Sequence, residues 1–148
     1  MFVLVRKISP YSGSALLLGV FRSAARAEEQ RSRYLQGVVH SGNDPWAQQA
    51  YHEVTDGDVT TVEPPAPDLP TPSQHVYVVS AYAEAFGQVV RTFEGLFDTH
   101  SAAEAFGLEL EAKNDEPFAF GYGTALVPID ELSPDPNGYP DLETDDFE

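Results

Sequence analysis

Apolar runs and turn-forming clusters alternate through the start of the chain. Phe2-Val3-Leu4-Val5 and Ala15-Leu16-Leu17-Leu18-Gly19-Val20-Phe21 are rich in aliphatic and aromatic side chains, and Pro10, Ser12, Gly13 and Ser14 lie between them. Runs of this kind, bounded by turn formers, predict two strands. The pattern then changes period. Ser23 stands where a helix N-cap belongs, with a hydroxyl able to accept from one of the free backbone N–H groups of a first turn. A helix is predicted over 24–36, with Gly37 as its stop.

The same order of features returns in mid-chain. Val76-Tyr77-Val78-Val79 aligns with Phe2-Val3-Leu4-Val5 at an offset of 74. Gly95-Leu96-Phe97-Asp98-Thr99 aligns with Gly19-Val20-Phe21-Arg22-Ser23, and Ala103-Glu104 with Ala27-Glu28, both at an offset of 76. This alignment places two extra residues in the second copy's first turn. Thr99 repeats the N-cap, and Glu28 and Glu104 fall just beyond the first turn, where the helix macrodipole still mildly favours an acid. The second helix is predicted over 100–112, with Ala103, Phe106 and Leu110 forming one buried stripe.

A third strand is expected after each helix. In the first copy, 50–54 and 59–62 flank Thr55-Asp56-Gly57-Asp58, and Asp-Gly between apolar segments predicts a hairpin. In the second copy, 118–129 reads as one long strand, in which Gly121 and Gly123 predict a bulge or a close backbone approach. The fold class expected is therefore α+β: a tandem duplication of a ββαβ unit, with antiparallel sheets and one helix per unit. Each unit has a thin core, so packing of the two units against each other, helix to helix or sheet to sheet, is expected to stabilise both.

Gly19-Val20-Phe21-x-Ser23 with Ala27-Glu28, and Gly95-Leu96-Phe97-x-Thr99 with Ala103-Glu104, resemble small uncharacterised bacterial and phage strand-strand-helix-strand modules. The resemblance covers about two-thirds of the chain and implies the fold; it supplies no activity and no functional residues.

Five prolines fall in Glu63-Pro64-Pro65-Ala66-Pro67-Asp68-Leu69-Pro70-Thr71-Pro72, which excludes a helix or a central strand there. The domain organisation expected is a first copy at 1–63, a Pro-rich linker at 64–74, a second copy at 75–129 and an acidic, flexible tail at 130–148.

Composition sharpens this picture at two points. The chain of 148 residues has no cysteine, which excludes disulfides, zinc-thiolate sites and cysteine nucleophiles and fits a cytoplasmic location. Arg6 and Lys7, the apolar run and Ala25-Arg26-Ala27 imitate a secretory signal. The interrupting Pro10 and Gly13, and the recurrence of the pattern in mid-chain, argue against that reading. No apolar run approaches the ~20 residues of a membrane span. Second, the net charge of −16 is uneven: residues 1–73 carry 8 acids and 6 bases, residues 74–148 carry 16 acids and 2 bases, and half of those 16 acids lie in 130–148. Such charge argues against binding a nucleic-acid backbone or an anionic membrane, less strongly for the first copy, whose helix region carries Arg22, Arg26, Arg31 and Arg33. Low Lys with retained Arg and abundant Ala suggests a GC-rich bacterial genome.

Catalytic and metal chemistry is sparse. The histidines form no H-x-x-x-H or H-E-x-x-H pair; His40, His52 and Asp44, or Asp56 with Asp58, are the only metal candidates, and ordinary surface and turn roles explain them. No phosphate loop, dinucleotide fingerprint or G-x-S-x-G occurs. No cofactor is expected, and no catalytic residue is assigned. The candidate partner-binding residues are the carboxylates Asp130, Glu131, Asp135, Asp141, Glu143, Asp145 and Asp146, and the alternating aromatics Phe118, Phe120 and Tyr122. Three uses of the acidic segment stay open: solubilisation, folding back onto the Arg-bearing helix, or docking a basic partner protein. The function expected is non-catalytic binding or regulation of a basic protein partner through the acidic half. The alternatives are a small-molecule-binding or enzymatic module with a site between the copies, and a self-associating structural protein.

Overall fold

The computed structural model describes residues 1–8, 15–46, 56–66, 74–85, 88–114 and 119–142. It has an α+β fold built from two similar units, which is consistent with a duplication. In the first unit, β1 (Phe2–Lys7), β2 (Ala15–Phe21) and β3 (Val59–Val62) form an antiparallel sheet in the order β2-β1-β3, and α1 (Ala24–Tyr34) joins β2 towards β3. In the second, β4 (His75–Ala85), β5 (Gln88–Phe97) and β6 (Ala119–Pro128) form a sheet in the order β5-β4-β6, with α2 (His100–Lys113) after β5.

Alternation along the strands divides each sheet into two faces. Val3, Val5, Leu17 and Val20 from the first sheet meet Val76, Val78, Leu96, Ala125, Val127 and Ile129 from the second unit in one core. The opposite face of the first sheet, through Leu4, Leu18, Phe21 and Val59, buries Ala27, Tyr34 and Leu35 of the helical layer. On the second sheet, α2 packs against β4, β5 and β6. The molecule is thus four layers, α1, sheet, sheet, α2. The units join sheet to sheet, and the space between the sheets is filled by fully buried aliphatic side chains. Among the described residues, no helix is long and apolar enough to cross a membrane.

The recurring Gly-x-Phe has a packing cause. A side chain at Gly19 would meet the Phe21 ring at 2.7 Å, and one at Gly95 would meet the Phe97 ring at 2.9 Å. Each ring lies back over the glycine two residues earlier on the same face. Just before each glycine the ladder skips a residue: Leu4 pairs with Gly19 and Val5 with Leu17, while Val79 pairs with Gly95 and Ser80 with Phe93. Leu18 and Glu94 are therefore the extra residues of matching bulges. Phe2 opposite Phe21 and Tyr77 opposite Phe97 put the first strands in register at an offset of 75. The expected offset of 74 is corrected by one, because identical valines on either side mask a one-residue slip.

Both caps form as expected: Ser23 Oγ accepts from Arg26 N at 3.1 Å and Thr99 Oγ1 from Ala102 N at 3.2 Å. The expected stop at Gly37 does not occur; the chain passes from α1 into a π-helical turn over Leu35–Val39, closed by His40 N donating to Leu35 O at 2.7 Å. Asp56–Asp58 forms a short 3-10 turn leading into β3, and the expected strand at 50–54 lies outside the described residues. β6 pairs with β4 without a register break, so its glycines mark no bulge; Gly123 instead leaves room for the Asp141 carboxylate.

The chain leaving each third strand runs to the other unit. Pro65 O, three residues past β3, accepts from Leu96 N on β5 at 2.9 Å. Ile129, just past β6, bridges Val20 on β2, and Asp130 N donates to Val20 O at 2.7 Å. Ser133 N and Tyr139 N then donate to Leu18 O and Leu17 O at 2.8 and 2.7 Å. The segment 129–142 thus lies along the outer edge of β2, and Leu142 N returns to Thr124 O at 2.6 Å.

Candidate interaction surface

The acidic segment is held by the few cations available to it. The Asp130 carboxylate accepts from Arg22 N at 3.0 Å and from Arg22 Nη1 at 2.8 Å, and Arg26 Nη2 donates to Asp130 O at 3.4 Å. Asp135 Oδ1 caps its own turn by accepting from Asn137 N, and Glu131 O accepts from the Tyr139 hydroxyl. The carboxylate of Asp141 meets three groups of the second sheet. Tyr82 donates to Oδ2, Arg91 lies 3.6 Å from Oδ1, and Gly123 supplies the space. Arg91 donates through Nε to Ser80 Oγ and through Nη1 to Ala15 O, both at 3.0 Å, and its guanidinium lies over the rings of Tyr82 and Phe93. Burial, more than the neighbouring carboxylate, raises the Tyr82 phenol far above the ordinary tyrosine range, with Arg91 opposing. Of the sequence candidates, Asp130 and Asp141 therefore bind groups of the two units, while Asp135, which caps its own turn, and Glu131 are exposed. Glu143, Asp145, Asp146 and Phe118 lie outside the described residues.

Phe120 and Tyr122 lie on the α2 side of β6, and Tyr122 packs on Gly107. Its hydroxyl donates to Glu104 Oε2 at 2.6 Å, and burial together with that carboxylate pushes its pKa up to about 12. His100 Nε2 lies 3.3 Å from Glu104 Oε1. The helix approaches the sheet through Ala103 and Gly107, its two buried residues. Small residues leave its larger neighbours only partly covered. Phe106 is half-buried against Phe97, with ring centroids 4.9 Å apart, and Tyr77 lies against His100 at 5.5 Å. The expected stripe of Ala103, Phe106 and Leu110 is thus fully buried only at Ala103. Leu108 is 59% exposed and is flanked by the exposed Glu109 and Glu111.

The second sheet also reaches past the first. In the first unit the β1–β2 ladder ends at Lys7 opposite Ala15; in the second, Ala83, Glu84 and Ala85 pair on with Val90, Val89 and Gln88. Along this overhang Val89 and Val90 are 39% and 42% exposed, on opposite faces of β5. A cavity of about 250 Å3 beside it is lined by Tyr82, Ala83, Glu84, Val89, Phe120 and Gly121.

One buried polar cluster in the first unit escaped the sequence reading. Arg6 is fully buried and donates to Tyr34 Oη at 3.0 Å and to both oxygens of Asp44. Burial works to raise the Asp44 carboxyl, but the bonds from Arg6 and from Trp46 N outweigh it and hold the carboxyl below its usual range. The available signal was an arginine on the inward phase of an apolar strand. Arg91, the only arginine of the acidic half, carried the same signal. Asp44 and His40, two of the metal candidates, have such structural partners: His40 Nε2 lies 2.7 Å from Asp56 Oδ1. His52 lies outside the described residues.

Comparison with protein-family models, with curated proteins and with solved structures finds no match to this chain.

Proposed function

We propose that this chain is a non-catalytic binding protein whose second unit docks a partner protein with a basic surface. The observation that carries this reading is the surface of that unit. Residues 74–148 hold 16 acids against 2 bases, and α2 exposes Leu108 next to Glu109 and Glu111 while the rings of Tyr77, Phe97 and Phe106 on the same unit stay only partly covered. Apolar contact rimmed by one sign of charge is the composition of a docking surface: the apolar centre supplies affinity, and the carboxylates supply steering and selectivity. Arg91, one of the two bases of that half, is turned inward onto Ser80 and Asp141, so it does not offset the outer charge. The cysteine-free chain suits a partner in the cytoplasm.

The test is affinity capture with the intact chain, identification of the captured protein, and titration with the purified pair. Glu109→Lys combined with Glu111→Lys is expected to weaken binding about tenfold or more, and raised salt to weaken the parent complex. A captured partner whose affinity is indifferent to both changes would overturn the reading.

A further inference from the structure

We propose that the outer edge of β5 over 88–94 accepts an extended, basic segment of a partner protein as an added strand. This inference rests on the docking reading above and specifies where and how the partner binds.

The argument begins with the four outer edges of the two sheets. The edge of β2 is covered by 129–139, through backbone bonds to Val20, Leu18 and Leu17. The edge of β6 receives Leu142 N at Thr124 O. The edge of β3 is only four residues long, and Arg31 Nε already binds Val59 O at 2.7 Å. β5 is ten residues long, and among the described residues its outer edge makes one backbone bond outside the sheet, Leu96 N donating to Pro65 O. A strand edge of this length with no other backbone partner among the described residues presents a row of N–H and C=O groups that is a template for another strand.

The first unit shows what occupies the matching edge. At the shared offset of 76, Leu18 and Leu17 correspond to Glu94 and Phe93. On β2 those positions are bonded by an extended stretch of the chain's own backbone; on β5 no described residue does so. Val89 and Val90 remain open on both faces, so an arriving strand finds side-chain contacts above and below as well as hydrogen bonds. The charges beside this edge are Glu84, opposite Val89, and Glu94 at the bulge, while Arg91 is committed inward. Carboxylates along a strand edge select a basic segment. They also disfavour a second copy of this chain, which carries the same −16.

The probe is a short peptide alternating lysine with valine, titrated into the intact chain by calorimetry and by backbone-amide NMR. Two further forms are N-methylated at odd or at even positions, which removes the backbone donors facing one side only. The parent peptide is expected to bind and to shift the amides of Val89, Val90, Arg91 and Thr92. One methylated form should lose about tenfold or more in affinity and the other should bind nearly as the parent does. Val90→Lys should weaken the parent peptide while leaving the circular-dichroism spectrum unchanged. Equal binding of both methylated forms would overturn the added strand while leaving the basic-partner reading intact. Equal binding of a glutamate–valine peptide would overturn the basic-partner reading itself. Absence of binding by every peptide, or light scattering that shows a dimer abolished by Val90→Lys, would overturn the inference.

Discussion

Leu18 and Glu94 occupy the same bulge in the two sheets, one a buried aliphatic side chain and the other a half-buried acid. The difference runs through both units. In the first, the layer between sheet and α1 closes around Leu4, Leu18, Phe21, Tyr34 and Leu35, and 131–139 add Leu132 and the Pro136 carbonyl that accepts from Tyr34. In the second, the buried residues of the matching layer are small among the described residues (Val79, Ala81, Ala103, Gly107 and Thr124), and the aromatic rings remain partly exposed. A shared backbone plan thus serves two ends. The first unit is closed by the chain itself, whereas the second leaves apolar side chains exposed beside carboxylates, and among the described residues β5 has no partner strand on its outer edge.

The most severe way to break that contrast is to remove what closes the first unit. A chain ending at Ile129 loses Asp130, Leu132, Tyr139 and Asp141, and leaves Arg91 and Tyr82 without their carboxylate. Lost apolar burial and an uncompensated buried cation together cost on the order of 5 kcal/mol, comparable with the whole stability of a small domain. Thermal melting followed by circular dichroism should show a large fall in Tm or loss of the cooperative transition. An unchanged melt would mean that 130–148 is merely appended.

A finer cut compares two leucines. Leu18→Ala removes a fully buried side chain and should cost about 2–5 kcal/mol in denaturant unfolding. Leu108→Ala removes one that is mostly in water and should stay within about 0.5 kcal/mol. If Leu108→Ala proved as costly as Leu18→Ala, the second unit would be as closed as the first.

How far this contrast was legible in the sequence depends on the range of the interaction involved. The caps at Ser23 and Thr99, the Gly-x-Phe pairs and the antiparallel units are set by neighbours within a few residues, and the residue pattern carries them. The register of the first strands is not, because Val3, Val5, Val76, Val78 and Val79 accept either alignment; only the pairing of Phe2 with Phe21 and Tyr77 with Phe97 decides it. Gly37 reads as a stop on local propensity, yet burial of Tyr34 and Leu35 carries the helical turn past it. Asp130 and Asp141 were visible as candidates, but the partners they find depend on where Arg22 and Arg91 stand, and the exposed Glu109 and Glu111 of α2 were not singled out. Arg22 is 108 residues from Asp130 in the chain. The placement of 129–142 on the edge of β2 is set by equally distant contacts, which no local pattern encodes.

Alkaline titration offers a third comparison, because burial raises phenols in both units, Tyr34 in the first and Tyr82 and Tyr122 in the second, with the two large shifts in the second. Tyr82 and Tyr122 have folded-state pKa values above the ordinary value of 10.0. A group raised on folding stabilises fully below its unfolded pKa and loses that contribution as pH rises towards the folded one. Stability should therefore hold up to about pH 10 and fall above it. Tyr82→Phe removes the larger of the two shifts and should flatten the fall, while Asp44, whose carboxyl is depressed, acts only at acid pH in the opposite sense. A fall of the same steepness in Tyr82→Phe would place the alkaline sensitivity elsewhere.

The smallest expected effect tests what the units share. Ser23 and Thr99 accept from the third residue beyond them at 3.1 and 3.2 Å, from N-cap positions with nearly the same backbone angles. Each change to alanine should cost about 0.5–2 kcal/mol in chemical denaturation, and the two should be nearly additive, because the helices lie in opposite outer layers of the sandwich. Equal losses would show that the helix starts are energetically alike despite the difference in the layers beneath them. A clearly smaller loss at Thr99 would mean that the half-covered α2 layer frays at its N-terminus before the molecule unfolds. In that case the contrast between closed and open units would extend into the helices.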